Sequence, residues 1–94
     1  MTAVNAAIEG LTRSLAIELA PRRVNAISPG VVQTPSWAHL SESDQQPMFD
    51  QLADSLPVGR VGQPADVAHA VMGLASNGYT TGEVRTVDGG ARLV

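Results

Sequence analysis

The sequence predicts an α/β fold with parallel strands, and three observations carry that reading. Apolar residues recur at helical spacing over residues 2–20. A short β-like run, residues 23–28, closes on Pro29-Gly30. A second helix-then-strand pattern follows over residues 64–88. The predicted order is helix, strand, lid, helix, strand. A strand–helix–strand crossover implies parallel pairing with a right-handed connection. Two parallel strands do not make a stable sheet, because such sheets are normally covered on both faces. The core is therefore expected to be completed by something outside this chain.

The first helix is read from Val4, Ile8, Leu11, Leu15 and Leu19, with Ala3, Ala6, Ala7 and Ala16 adding propensity. Glu9 and Arg13 are placed to pair one turn apart. Pro21 stops the helix, since the residue before a proline is pushed out of the α region. Gly10 lets a neighbouring helix approach closely. Val24, Ala26 and Ile27 give the strand its apolar content. In open α/β sheets, ligands sit beyond the carboxyl ends of the strands. The turn Pro29-Gly30, followed by Val31, Val32, Gln33 and Thr34, is thus a candidate ligand-facing segment.

Residues 35–56 are less regular and read as a lid. Ser41 with Asp44 is a weak capping signal, and Pro47 is expected to divide the segment into two short helices. Met48, Phe49, Leu52 and Leu56 supply an apolar face. Residues 57–62 form a loop. The next helix starts near Pro64, with Asp66 facing its positive end. Val67, Val71 and Leu74 line one side with Ala70 beside them, and Asn77-Gly78 suggests a left-handed cap. Residues 83–88 make the last strand, and Asp88-Gly89-Gly90 turns the chain.

Ninety-four residues allow one domain at most. Trp37, Phe49 and Tyr79 are the only aromatics, so little bulk is available for an independent core. The net charge is −3 and no basic stripe occurs, which argues against nucleic-acid binding. The chain has no cysteine, hence no disulfide, thiol nucleophile or cysteine-held metal. No apolar run approaches the roughly 20 residues of a membrane span, and Met1-Thr2-Ala3-Val4 lacks the basic start of a signal peptide. A soluble, cytoplasmic protein without a membrane partner is expected. His39 and His69 lie 30 residues apart without carboxylates at ligand spacing, so no metal site is expected. No serine, histidine and carboxylate suggest a triad.

The chain resembles the C-terminal half of a short-chain dehydrogenase/reductase. The resemblance spans nearly all of it and rests on ordered blocks. These are residues 6–16, Glu18-Leu19-Ala20-Pro21, Arg23 to Gly30, Thr34, Gly59-Arg60, Gly62-Gln63-Pro64, Asp66-Val67-Ala68, Thr81-Gly82 and Val87-Asp88-Gly89-Gly90. The turn Pro21-Arg22-Arg23 is shorter than the family's common version. The resemblance implies a Rossmann-type, doubly wound parallel sheet and hydride transfer between NAD or NADP and a carbonyl or alcohol. It places Pro29 and Gly30 beside the nicotinamide, the Val32 backbone at the carboxamide, and Thr34 at the carboxamide or pyrophosphate. Residues 35–56 match the substrate loop. The second long helix and last strand match a surface commonly used for dimers or tetramers, so a homo-oligomer or pairing with another family member is expected.

The same resemblance exposes what the chain does not carry. No G-x-G-x-x-G turn occurs, and Gly59-Arg60-Val61-Gly62 has the wrong spacing. The family's catalytic serine would lie upstream of Met1. The positions of its catalytic tyrosine and lysine hold Met1 and Asn5. A thioether has no proton to give. Asn5 can hydrogen-bond a ribose hydroxyl, but it has no charge with which to tune a neighbour. The reading is a partial oxidoreductase of this family, inactive alone. The alternatives are a non-catalytic assembly or regulatory module, and a fragment whose true start lies upstream.

Overall fold

The computed structural model describes residues 2–94 and bears out the α/β class. Helix α1 (Thr2–Glu18) leads into strand β1 (Ala26–Pro29). A single 3₁₀ turn, Pro35–Trp37, precedes helix α2 (Glu42–Ser55). Helix α3 (Pro64–Ser76) and strand β2 (Val84–Val87) follow, with a last 3₁₀ turn at Ala91–Leu93. The strands pair in parallel, with Ala26 opposite Val84 and Pro29 opposite Val87. Helix α3 packs on both strands. The molecule is elongated, 48 × 26 × 26 Å.

The strand is held at both ends by bonds that extend its pairing. Ala26 N–H donates to Glu83 C=O at 2.9 Å, and Gly30 N–H to Val87 C=O at 2.9 Å. Upstream of Ala26 the regular ladder gives way to side chains. Val24 N–H donates to Thr81 Oγ1 at 3.1 Å, while Gly82 N–H donates to Val24 C=O at 2.7 Å. That is why the regular strand begins three residues later than the apolar pattern predicts, and why it runs on to include Pro29.

Several expectations are corrected. Pro47 does not divide the lid into two α-helices. It sits in the second turn of a continuous α2, where its missing N–H removes a single helical bond. Ser41 caps that helix by accepting from Asp44 N–H at 3.3 Å, as the pattern suggested. Asn77-Gly78 is not a left-handed cap. Asn77 is extended, with φ −92° and ψ 97°, and its Oδ1 accepts from Tyr79 N–H at 3.0 Å. An Asx-type bond closes the helix instead. Glu9 and Arg13 make no ion pair among the described residues; on an exposed helix face such a pair gains little over water. Val71 is 46% exposed, and the side of α3 that faces inward carries Leu74 with the half-buried Val67 and Ala70.

Burial is sparse. Among the described residues only Thr12, Ala16, Phe49, Val61 and Leu74 are buried. The apolar positions Val4, Ile8 and Leu11 of α1 are each more than half exposed. Gly10 has open space around it, so no helix within this chain exploits the close approach it permits.

Candidate cofactor-facing site

The segment after β1 is fixed from three directions. Gly30 lies so close to the β2 turn that a Cβ there would sit 2.8 Å from Asp88 Cα and 2.9 Å from its Cβ. Only glycine fits that approach. Val32 forms a parallel bridge with Gly62, in which Gln33 N–H donates to Gly62 C=O at 2.9 Å and Gly62 N–H to Val31 C=O at 3.0 Å. The Trp37 indole donates to Val32 C=O at 3.0 Å. Thr34 opens the 3₁₀ turn, and its Oγ1 lies 2.6 Å from Ser36 Oγ. No donor bond from Val32 N–H or Thr34 N–H occurs among the described residues.

The loop carrying Gly62 is itself anchored. Arg60 grips Asp66 with two guanidinium bonds, 2.8 and 2.9 Å, and Asp66 also accepts from Gln63 N–H at 2.7 Å. The Arg60 bonds, then the Gln63 amide, hold the Asp66 carboxyl well below the usual carboxylate range. Gly90 N–H, then the Arg92 backbone and guanidinium, likewise pull Asp88 down. Gly89 and Gly90 both have positive φ, 62° and 91°. Their turn packs on Val58 and Pro57 at distances that leave no room for a Cβ. A cavity of about 150 Å³ under these pieces is lined by Val31, Val32, Gly62, Asp66 and Asp88 among others. It belongs to the support of the turn.

A second, open groove of about 310 Å³ runs between α1 and β1. Its lining includes Asn5, Ile8, Glu9, Ile27, Ser28 and Pro29. The structure thus brings Asn5 and Pro29, far apart in sequence, to one groove. Gly30, Val32 and Thr34 continue from its Pro29 end. Met1 lies outside the described residues. His39 stacks on Trp37 and its Nδ1 lies 3.1 Å from Ser36 C=O. Among the described residues no group of three or more His, Asp or Glu could hold a metal.

Two positioning residues escaped the sequence reading. Arg23 donates to the carbonyls of Leu74 and Ala75, each at 2.9 Å, satisfying the end of α3. Asn25 donates to Thr80 C=O at 3.0 Å and accepts from Glu83 N–H at 3.0 Å. Their partners lie 51 to 58 residues away, and the one available hint was a polar pair opening an apolar strand.

A parallel strand thus ends in a fixed Pro-Gly turn beside an open groove lined by Asn5, Glu9 and Ser28 among others. The comparisons give the family. The family model described as enoyl-(acyl carrier protein) reductase matches residues 1–92. The chain is 47% identical to a 3alpha-hydroxysteroid dehydrogenase of Mediterraneibacter gnavus, over 92% of this chain and 34% of that protein. It is 46% identical to the 3-oxoacyl-[acyl-carrier-protein] reductase FabG of Aquifex aeolicus, over 90% and 34%. A small-chain dehydrogenase solved in complex with NADPH superposes with a TM-score of 0.93 at 48% identity, covering 98% of this chain and 42% of the other. The chain belongs to the short-chain dehydrogenase/reductase family, whose members use NAD(P). It spans about a third of the length of the curated relatives it matches.

Proposed function

We propose that this chain forms the nicotinamide-side wall of an NAD(P)-dependent oxidoreductase site and performs no hydride transfer by itself. The observation that carries the reading is the fixed turn Pro29–Thr34 opening from the groove that also contains Asn5. A carboxamide needs an acceptor for its NH₂ and a donor for its oxygen. Val32 C=O keeps a second lone pair beside the Trp37 bond, and Val32 N–H is a donor without a partner among the described residues. The carboxamide of the nicotinamide end therefore fits. The diphosphate does not fit this groove, whose one charged lining residue is Glu9. When bound, the cofactor supplies or accepts the hydride; this chain's residues orient its ring end.

Turnover also needs a proton donor. Positions matching the family's tyrosine and lysine hold Met1 and Asn5, and all six basic residues of the chain are arginines. An alkoxide formed at the ring would find no acid among them to neutralise it. The expected result is weak cofactor binding without reductase turnover. Titration calorimetry with NADH and NADPH checks this, and no heat at millimolar cofactor would sink the reading.

A second reading, an assembly module, is supported by apolar exposure on and after α3. Met72 is 63% and Tyr79 91% exposed. It expects a homo-oligomer, or pairing with a family member. Native mass spectrometry that finds only a folded monomer, both alone and beside such a member, counts against it.

A further inference from the structure

Helix α2 holds the Val32 turn through a short chain of hydrogen bonds. Near its start, the Gln45 amide donates to Trp37 C=O at 3.0 Å and to Leu40 C=O at 2.7 Å. Phe49 lies four residues on, hence on the same face of α2. It is buried, and it meets the Trp37 ring edge-on at 5.9 Å. The turn that carries Trp37 has three residues, Pro35–Trp37, and so short a 3₁₀ turn has poor bonds of its own. Trp37 is therefore held from α2. Its carbonyl accepts Leu40 N–H at 3.0 Å as well as Gln45, which fills both lone pairs.

In the other direction the Trp37 indole donates to Val32 C=O at 3.0 Å. The N–H of that same peptide, on Gln33, donates to Gly62 C=O at 2.9 Å. The Val32–Gln33 peptide is thus pinned by the lid at one end and by the loop before α3 at the other. Held at its N–H alone, it could still rock about that bond. The lone pairs of a carbonyl lie in its plane on either side of the C=O axis. With the indole on one side, the direction of the free one is set.

The neighbouring glutamine shows the contrast. Gln46 spends its amide on Asp50 Oδ1 at 2.8 Å, an exposed bond along the helix surface. Gln45 instead turns off the helix onto the segment that carries the indole.

We propose that Gln45 is a positioning residue of the site: from the lid, through the Trp37 indole, it aims the Val32 carbonyl. Movement of α2 and binding of a carboxamide at Val32 are then coupled, each favouring or weakening the other by the same factor. The effect on cofactor rests on the reading of Val32 as the carboxamide's partner, whereas the relay stands without it.

The chain has a single Val-Gln step, Val32-Gln33. Carbonyl ¹³C-valine with ¹⁵N-glutamine therefore isolates that one peptide in an NMR spectrum. The expected result is an upfield move of the Val32 carbonyl, with faster Gln33 amide exchange, in Trp37→Phe and also in Gln45→Met. Gln46→Met leaves both unchanged. Once Trp37 is Phe, adding Gln45→Met has no further effect, because the two act in series. Circular dichroism confirms the fold of each variant, and Gln45→Glu, which keeps the shape and loses the donor, replaces a methionine that disturbs it. A Gln45 variant with the parent's Val32 signal overturns the proposal, as does a double variant that shifts by the sum of the two. Calorimetry with NADPH reads the consequence: Trp37→Phe and Gln45→Met each bind about fivefold more weakly than the parent, the share of one neutral hydrogen bond. Variants that bind as tightly as a binding parent overturn the positioning role. A parent that gives no heat sinks the cofactor reading instead, and the Val32 signal still decides the relay.

Discussion

Gly30 shows what a single residue decides here. Its φ is ordinary, and its constraint comes from the Asp88 backbone lying against its Cα. Gly30→Ala must push β1 and the β2 turn apart, at a cost of about 1–3 kcal/mol. The expected outcome is a lower melting temperature in a thermal scan, and a variant that melts like the parent refutes the contact. The Pro-Gly pair was legible as a turn, because those two residues punctuate the chain wherever they fall. The partner that makes glycine necessary was not, since Asp88 arrives from 58 residues downstream. The same distance hid the roles of Arg23 and Asn25, whose side chains tie β1 to the end of α3 and the approach to β2.

At the level of elements, local signals worked where local forces decide. The starts of α2 and α3 followed their capping residues, Ser41 and the Pro64–Asp66 turn. Pro47 misled because a helix can lose one bond when its later residues, Phe49 above all, are buried; Phe49 is 3% exposed and meets Trp37 edge-on at 5.9 Å. The start of α3 also sets a pH dependence. The folded Asp66 and Asp88 carboxyls lie below their ordinary value of 3.8. Their contribution is fully present above that value and is lost as pH falls through the folded values. Stability should hold from neutrality to about pH 5 and decline below about pH 4. For Asp66→Asn the decline should be shallower, starting from lower neutral stability. Urea titrations at stepped pH check this, and parallel curves for the two proteins would contradict it.

Over the whole molecule, the α/β class was legible because periods of 3.6 and 2 survive in any context. The expectation that the core is completed from outside came from the same patterns; in the structure Val4, Ile8 and Leu11 of α1 are each more than half exposed. Which side of α1 faces the body was not legible, since an apolar stripe normally marks the inward side. Local stability should follow this geometry. Amides in the first two turns of α1, exposed all round, should exchange hydrogen far faster than those around Leu74 of α3. Equal protection in the chain alone would mean that α1 is already covered.

Trp37 is the one tryptophan of the chain, and its indole N–H is bonded to the carbonyl of Val32. That placement makes it a built-in optical reporter. Its emission colour follows the polarity around the Val31–Thr34 turn and shifts if that bond opens. Reduced nicotinamides absorb in the band where tryptophan emits, so a ring seated against this turn would dim the indole by energy transfer while an oxidised one would not. The chain carries its own gauge of the site, readable in solution without a label.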